Sequence, residues 1–329
     1  MTAARWALAG LALLAIAAAL GGWLTTPPGP GPAQVVEIPK GTRTAEIGRL
    51  LSTRGLVRSA LAFTLYARVL GLNGRLQAGE YRISPEEDIP RILRRLASGD
   101  VVRHALVLPE GLTAAEVAVR IEQLGLGRAV EFLRLVRQPE RFWIPQMRGN
   151  RSGSLEGYLF PDTYLLPKGL GEERIVRTFV DRFRQATEAL LTGPLPLGLE
   201  PHEVVTVASL VEREAKRPEE RRRIAGVIYN RLRMGMPLQI DATILYALGG
   251  HRPVVRQADL AVDSPYNTYR RIGLPPGPIA NPGLDALRAA VEPEHHAFFY
   301  YVARPDGTHV FTRTLEEHLQ AIRKVRGAP

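Results

Sequence analysis

Glu212 is a carboxylate on the apolar side of a helix, near the end of Pro201–Lys216 (PHEVVTVASLVEREAK). Pro201 suits a first-turn position, and Lys216 and Arg217 suit a last turn. Apolar residues recur at Val204, Val205, Ala208 and Val211. At 3.6 residues per turn Glu212 follows Ala208 by one turn and Val205 by two, which sets it on or beside the inward stripe. Glu214 lies roughly 200° further round and is expected to face water. A carboxyl held against apolar surface has its charged form disfavoured, which raises its pKa toward the range of a general acid. The plainer reading is a helix glutamate paired with an arginine at the core edge.

Other chemistries drop out on spacing. His202-Glu203 opens like a zinc-protease helix, but position 206, where the second histidine belongs, is threonine. His295 and His296 are adjacent rather than at ligand spacing. No Gly-x-Ser-x-Gly and no phosphate-cradling glycine loop occurs, so neither a metal nor a cofactor is expected. What remains is a set of polar and aromatic segments. LEGYLFPDTY places Glu156, Tyr158, Phe160, Asp162, Thr163 and Tyr164 within ten residues. LQIDAT alternates apolar positions with Gln239, Asp241 and Thr243, and SPYNTY supplies Tyr266, Asn267 and Thr268. Rings that stack on pyranose faces, beside amides and hydroxyls, are what a sugar cleft needs. Each segment alone reads as a structural turn. Together, near a half-buried glutamate, they favour a glycan enzyme.

The elements that must position these groups are legible in outline. The 329 residues give room for about two domains. The net charge is +10, and lysine occurs only at 40, 168, 216 and 324. Such a balance suits nucleic acid, anionic lipid or an anionic wall polymer. No nucleic-acid motif or tight basic cluster with interleaved aromatics occurs, so nucleic acid is not an expected partner. Trp6–Leu24 is 19 residues without a charge, with Arg5 in front, and reads as one retained span. The alternative is a cleaved signal peptide, whose apolar core is usually shorter, about 7–15 residues. Residues 1–25 are therefore expected to be a cytoplasmic stub and anchor in the cytoplasmic (inner) membrane, with the bulk of the chain outside the cytoplasm. Absence of cysteine fits export without disulfides.

Thr25–Ala33 (TTPPGPGPA) reads as a Pro/Gly spacer lifting the rest off the membrane, with the linker taken as residues 26–34. Then Ile38–Leu56 aligns without a gap on Leu108–Leu126, at an offset of 70. Each copy predicts a short strand, a Pro-x-Gly turn and an amphipathic helix that stops at glycine. Residues 35–149 are expected to form an α+β binding or spacing module, and residues 150–329 the catalytic domain.

Residues 35–325 resemble the endolytic murein transglycosylase family, also called YceG-like. The resemblance is carried by LEGYLFPDTY, ASLVEREA, VIYNRL-x-x-GMPLQIDAT, YNTY and GLPPGPIANPG, in that order. It implies an α+β fold with an N-terminal transmembrane helix, a LysM-like module and a mixed α+β catalytic domain. Glu212, the first glutamate of VEREA, takes the place of the family's catalytic glutamate. Glu156, Tyr158, Asp162, Thr163, Asn230, Gln239, Asp241, Thr243, Tyr266, Asn267 and Thr268 are the expected substrate-binding residues. Ile240 and Ala242 stand where relatives often carry threonine and proline, which touches subsite details alone. The implied activity is cleavage of peptidoglycan strands between N-acetylmuramic acid and N-acetylglucosamine, leaving 1,6-anhydro ends, alongside peptidoglycan synthases. Two alternatives stay open: a hydrolase pairing Glu212 with Asp241 or Asp162, which needs a second carboxylate roughly 5–9.5 Å away, and a non-catalytic wall-binding scaffold.

Overall fold

The computed structural model describes residues 22–249, 255–325 and 327. It is an α+β protein with two compact units, one of residues up to His104 with Leu165–Gly169, the other of Ala105–Tyr164 and the chain from Leu170. Among the described residues no helix is long and apolar enough to cross a membrane. The expected span Trp6–Leu24, apart from its last three residues, lies outside the described residues.

In the first unit β1 (Gln34–Ile38) pairs antiparallel with β2 (Gly79–Ile83), Gln34 opposite Ile83 and Ile38 opposite Gly79. Helices α1 (Thr44–Thr53), α2 (Ala60–Val69) and α3 (Ile89–Ser98) complete it. Alternate strand residues Val36 and Ile38 meet Ile47, Leu51, Phe63, Ile92 and Leu96 in one core, the inward half of each element's period. Asp88 caps α3 by accepting from the Arg91 N–H at 2.8 Å. Buried Glu80 accepts from Lys168 (2.8 Å) and meets His104 (2.6 Å), which ties Leu165–Gly169 to this unit. The Lys168 bond holds its carboxyl below the usual range.

Two expectations change here. Thr25–Ala33, expected as an extended spacer, is tied to the first unit: Leu24 just before it packs on that unit's core, and Arg58 donates to the carbonyls of Pro27 (3.0 Å) and Pro28 (3.1 Å). The extended prolines leave their carbonyls open, and a guanidinium fork satisfies both. The module boundary expected at residue 150 is also displaced, because the second repeat copy packs in the second unit. Its helix, α4 (Ala114–Gln123), is held there by Glu156, whose carboxylate accepts from the Ala114 N–H at 2.9 Å. Strand–turn–helix order is nevertheless present in both copies. β3 (His104–Val107) precedes α4 as β1 precedes α1, and Glu46 and Glu116 each accept from the backbone N–H of the residue before the helix. Gly55 and Gly125 end the two helices at φ 69° and 63°, where a side chain would be strained.

The second unit adds α5 (Ala129–Val136), the start of β4 (Thr163–Leu166), α6 (Glu172–Thr187), α7 (Pro201–Glu214), α8 (Arg221–Arg233), α9 (Asp241–Ala247) and α10 (Leu284–Val291). A hairpin of β5 (Tyr300–Ala303) and β6 (His309–Thr312) and a last helix α11 (Leu315–Val325) follow. Helix α7 is the centre of this unit and packs against α8, α9 and α10.

Candidate active site

Every residue of α7 from Val204 to Val211 is buried, including Thr206 and Ser209. The two hydroxyls are satisfied within the helix, Thr206 donating to the His202 carbonyl (2.9 Å) and Ser209 to the Thr206 carbonyl (2.7 Å). A helix buried all round has no water face, so the amphipathic reading of its last turn fails. Glu214, expected in solvent, instead meets the hairpin: the Tyr301 hydroxyl donates to its Oε2 at 2.9 Å. This corrects the sequence expectation for Glu214.

Glu212 is placed differently from the apolar setting expected of it. Its side chain is 7% exposed, and it accepts from the Gly283 N–H (3.0 Å) and from Arg221 (3.4 Å). Arg221, at the start of α8, also reaches Glu110 at 3.5 Å and Asp285 at 3.8 Å. The plainer alternative, a glutamate paired with an arginine, is what the geometry contains. Glu110 has its pKa raised, by burial first and by the Glu212 charge second.

Glu214 lines a cavity of about 640 Å³, and Glu212 is not among the residues that do. Gln239, Asp241, Tyr269, Tyr300, Tyr301, Arg213, Arg231 and His309 share its wall. Burial raises the Glu214 pKa, and the nearby Asp241 charge adds to the effect. The Tyr301 hydrogen bond, His309 and Arg213 act against it. The His309 ring is anchored by Glu220, Nδ1 to Oε2 at 2.7 Å, and meets the Tyr301 ring edge-on. Arg231 also lines the cavity: it donates to the carbonyls of Phe299 and Leu238, and its guanidinium lies over the Tyr300 ring. A carboxyl whose pKa is raised, among rings, an amide and a second carboxylate, is suited to deliver a proton to a bound sugar oxygen.

Of the substrate-binding residues expected from sequence, Gln239 and Asp241 reach this cavity. Tyr269 donates to Asp241 at 2.5 Å. Gln239 sits at φ 54°, a left-handed conformation held because its N–H donates to the Thr268 carbonyl and the next N–H, of Ile240, to the Thr268 hydroxyl. Thr243 and Thr268 are buried and hydrogen-bonded to each other at 2.9 Å, so they set the loop rather than line it. Asn267 is fully buried, its amide donating to the carbonyls of Leu260 and Val262. Tyr266 is half-buried with its ring against Tyr246. Asn230 donates to the carbonyls of His296 and Phe298 and fastens α8 to the approach of β5.

The LEGYLFPDTY segment is structural in this geometry. Tyr158 is fully buried, and its hydroxyl meets His202 Nδ1 at 2.8 Å. His202 Nε2 must donate to the Pro276 carbonyl (3.1 Å), which leaves Nδ1 to accept. Burial lowers the His202 pKa, which favours the neutral ring. Asp162 pairs with Arg182 at 2.7 Å, and Thr163 is exposed on β4. Glu156 is 4% exposed, and burial pushes its pKa up to about 8. Its carboxyl oxygens accept from the Ala114 N–H and the Asn281 amide (3.1 Å), and one of them lies 3.4 Å from the Tyr246 hydroxyl oxygen. Glu156 does line a second, apolar cavity of about 580 Å³ in the same unit.

Glu214, Tyr269, Tyr301 and His309 line this cavity and were not among the site residues expected from sequence. One signal was available: no charged residue falls between Val204 and Val211, as befits a helix buried on every side.

Comparison with known proteins bears on the whole of this arrangement. A YceG-like family model matches residues 36–324. An endolytic murein transglycosylase of Bacillus subtilis (strain 168) is 33% identical over 302 residues, 88% of this chain and 84% of that protein. One from Streptococcus pneumoniae (strain D39) is 32% identical over 313 residues, 86% of this chain and 56% of that protein, so the chain spans just over half its length. A 2.6 Å crystal structure of a yceG-like protein from Listeria monocytogenes aligns with a TM-score of 0.57 at 34% identity, over 88% of this chain and 98% of that one. The chain belongs to the YceG-like family.

Proposed function

We propose that the protein is a lytic transglycosylase that cuts peptidoglycan strands internally, between N-acetylmuramic acid and N-acetylglucosamine. The observation that carries this reading is Glu214, a carboxyl biased toward its protonated form in the wall of a cavity lined by aromatic rings, the Gln239 amide and Asp241. The relatives' names support the substrate class. The geometry favours Glu214 over Glu212 as the acid, because Glu212 is engaged by Arg221 and Gly283. Glu214 gives its proton to the glycosidic oxygen. As carboxylate it then takes the proton of the muramoyl C6 hydroxyl, whose oxygen closes on C1 as a 1,6-anhydro ring. No water is consumed, and one group serves as acid and then base.

Asp241 favours a second reading, since a hydrolase of the same polymer needs a second carboxylate and Asp241 lines the same cavity. Product mass decides between them. Purified glycan strands should yield 1,6-anhydromuramic ends, each lighter by one water than the hydrolytic product. Asp241→Asn should keep that product with a rate within about tenfold of wild type, whereas loss of a hydrolase's nucleophile or base costs about 10²-fold or more. Reducing ends from wild type, abolished in Asp241→Asn, select the hydrolase. No cleavage by the wild-type chain leaves the wall-binding scaffold.

Single-pass anchoring in the cytoplasmic membrane is part of the same reading, supported by Trp6–Leu24 and Arg5. The first unit then acts as a LysM-like binding or spacing module, close to the synthases that make nascent strands. A reporter active only in the cytoplasm, fused after Pro329, should give no signal. A strong signal refutes the topology.

A further inference from the structure

Helix α2 is apolar on two opposite sides. Ala62, Phe63 and Ala67 enter the first unit's core. Leu61, Leu65 and Val69, four residues apart, form an outward row at 69%, 48% and 83% exposure, and Leu70 extends it. Single exposed apolar residues are ordinary on a protein surface, but a helical row of them marks a surface with an occupant.

Charge and position indicate which occupant. Residues 47–79 hold five arginines, at 49, 54, 58, 68 and 75, and no aspartate or glutamate. Arg58 precedes the row in the chain, and Arg68 stands within it beside Val69. The Arg58 guanidinium lies over the Trp23 ring at 4.7 Å and binds the Pro27 and Pro28 carbonyls, while Leu24 packs on the core of the same unit. Trp23 and Leu24 close the span read from the sequence, so α2 begins two residues from a side chain in contact with the end of that span.

We infer that the Leu61–Leu65–Val69 face of α2 docks on the membrane surface, its apolar row at the headgroup–acyl boundary and its arginines on anionic headgroups. Arginines snorkel to phosphates while an amphipathic face sinks a few ångströms, and each basic residue near an anionic leaflet strengthens the attachment. The inference rests on the proposed anchor. With both contacts made, the first unit lies against the bilayer and does not swing on a tether.

The chain contains no cysteine, so single labels report unambiguously. Leu61→Cys, Leu65→Cys and Val69→Cys, each carrying a fluorophore, are compared with Arg94→Cys, exposed on α3, and Ala15→Cys, within the span. The full chain is reconstituted in vesicles of equal parts phosphatidylcholine and phosphatidylglycerol containing a lipid-borne quencher. The α2 labels should be quenched at least about twofold more than the Arg94 label, and the excess should shrink in pure phosphatidylcholine or high salt. Quenching at Ala15 without excess at α2 overturns the docking alone. Absence of quenching at both overturns the anchor and the docking together. Labels on α2 shielded from water-borne and lipid-borne quenchers alike mean that a protein covers the row, which also overturns it.

Discussion

Glu214→Gln is expected to slow glycan cleavage by about 10⁴-fold or more, since general acid–base catalysis contributes ~10²–10⁴-fold and this residue serves both proton transfers. Glutamine keeps the shape and still accepts from Tyr301, so the fold should survive. Glu212→Gln is the informative partner. The Gly283 N–H would still find an amide oxygen, and Arg221 would retain Glu110 and Asp285. Its cost should be mainly in stability, about 1–3 kcal/mol, with a rate within about tenfold of wild type. The pH profile gives a second test. A group that must be protonated supports activity below its pKa, and activity falls as pH rises through it. Tyr301→Phe removes a bond that favours the carboxylate, so the alkaline limb should move to higher pH. Asp241→Asn removes a like charge, so the limb should move to lower pH. Initial rates on purified strands report both. An inactive Glu212→Gln beside an active Glu214→Gln would return the acid to the Arg221 side.

The part of this site that the sequence discloses is the part set by local rules. Helix α7 was legible from Pro201 and the apolar spacing. Periodicity also disclosed the two strand–turn–helix copies, because each carries its own turn glycine and helix cap. The burial of Glu214 was not legible, because it depends on what covers the end of α7. That cover is Tyr301, 87 positions along the chain from Glu214. Likewise Tyr158 and Asn267 look like ligand groups in a motif, yet His202 and the carbonyls of Leu260 and Val262 consume their polarity. A motif names residues that a fold needs together. Tertiary contacts decide which of them face a substrate.

Glu156 shows the same division and carries the other large expected effect, on stability. In the folded chain its pKa is pushed up to about 8, from an ordinary 4.5, by burial. Between those values the folded protein holds a proton that the unfolded chain releases. The group's contribution is therefore full below the unfolded value and is lost as pH rises through about 8. A shift of this size corresponds to a change on the order of 5 kcal/mol between acid and alkaline conditions. Glu156→Gln reproduces the neutral acid: its amide oxygen can accept from Ala114 and Asn281, and its NH₂ can donate to the Tyr246 oxygen. The variant should match wild type near pH 5 and exceed it by several kcal/mol near pH 9. Glu110 and Glu214 also have raised pKa values, and comparing the two proteins at each pH cancels their share. Urea midpoints of wild type and variant across that range provide the measurement. Parallel profiles would show that Glu156 is ionised in the folded protein, with Asn281 and the start of α4 binding a carboxylate rather than an acid.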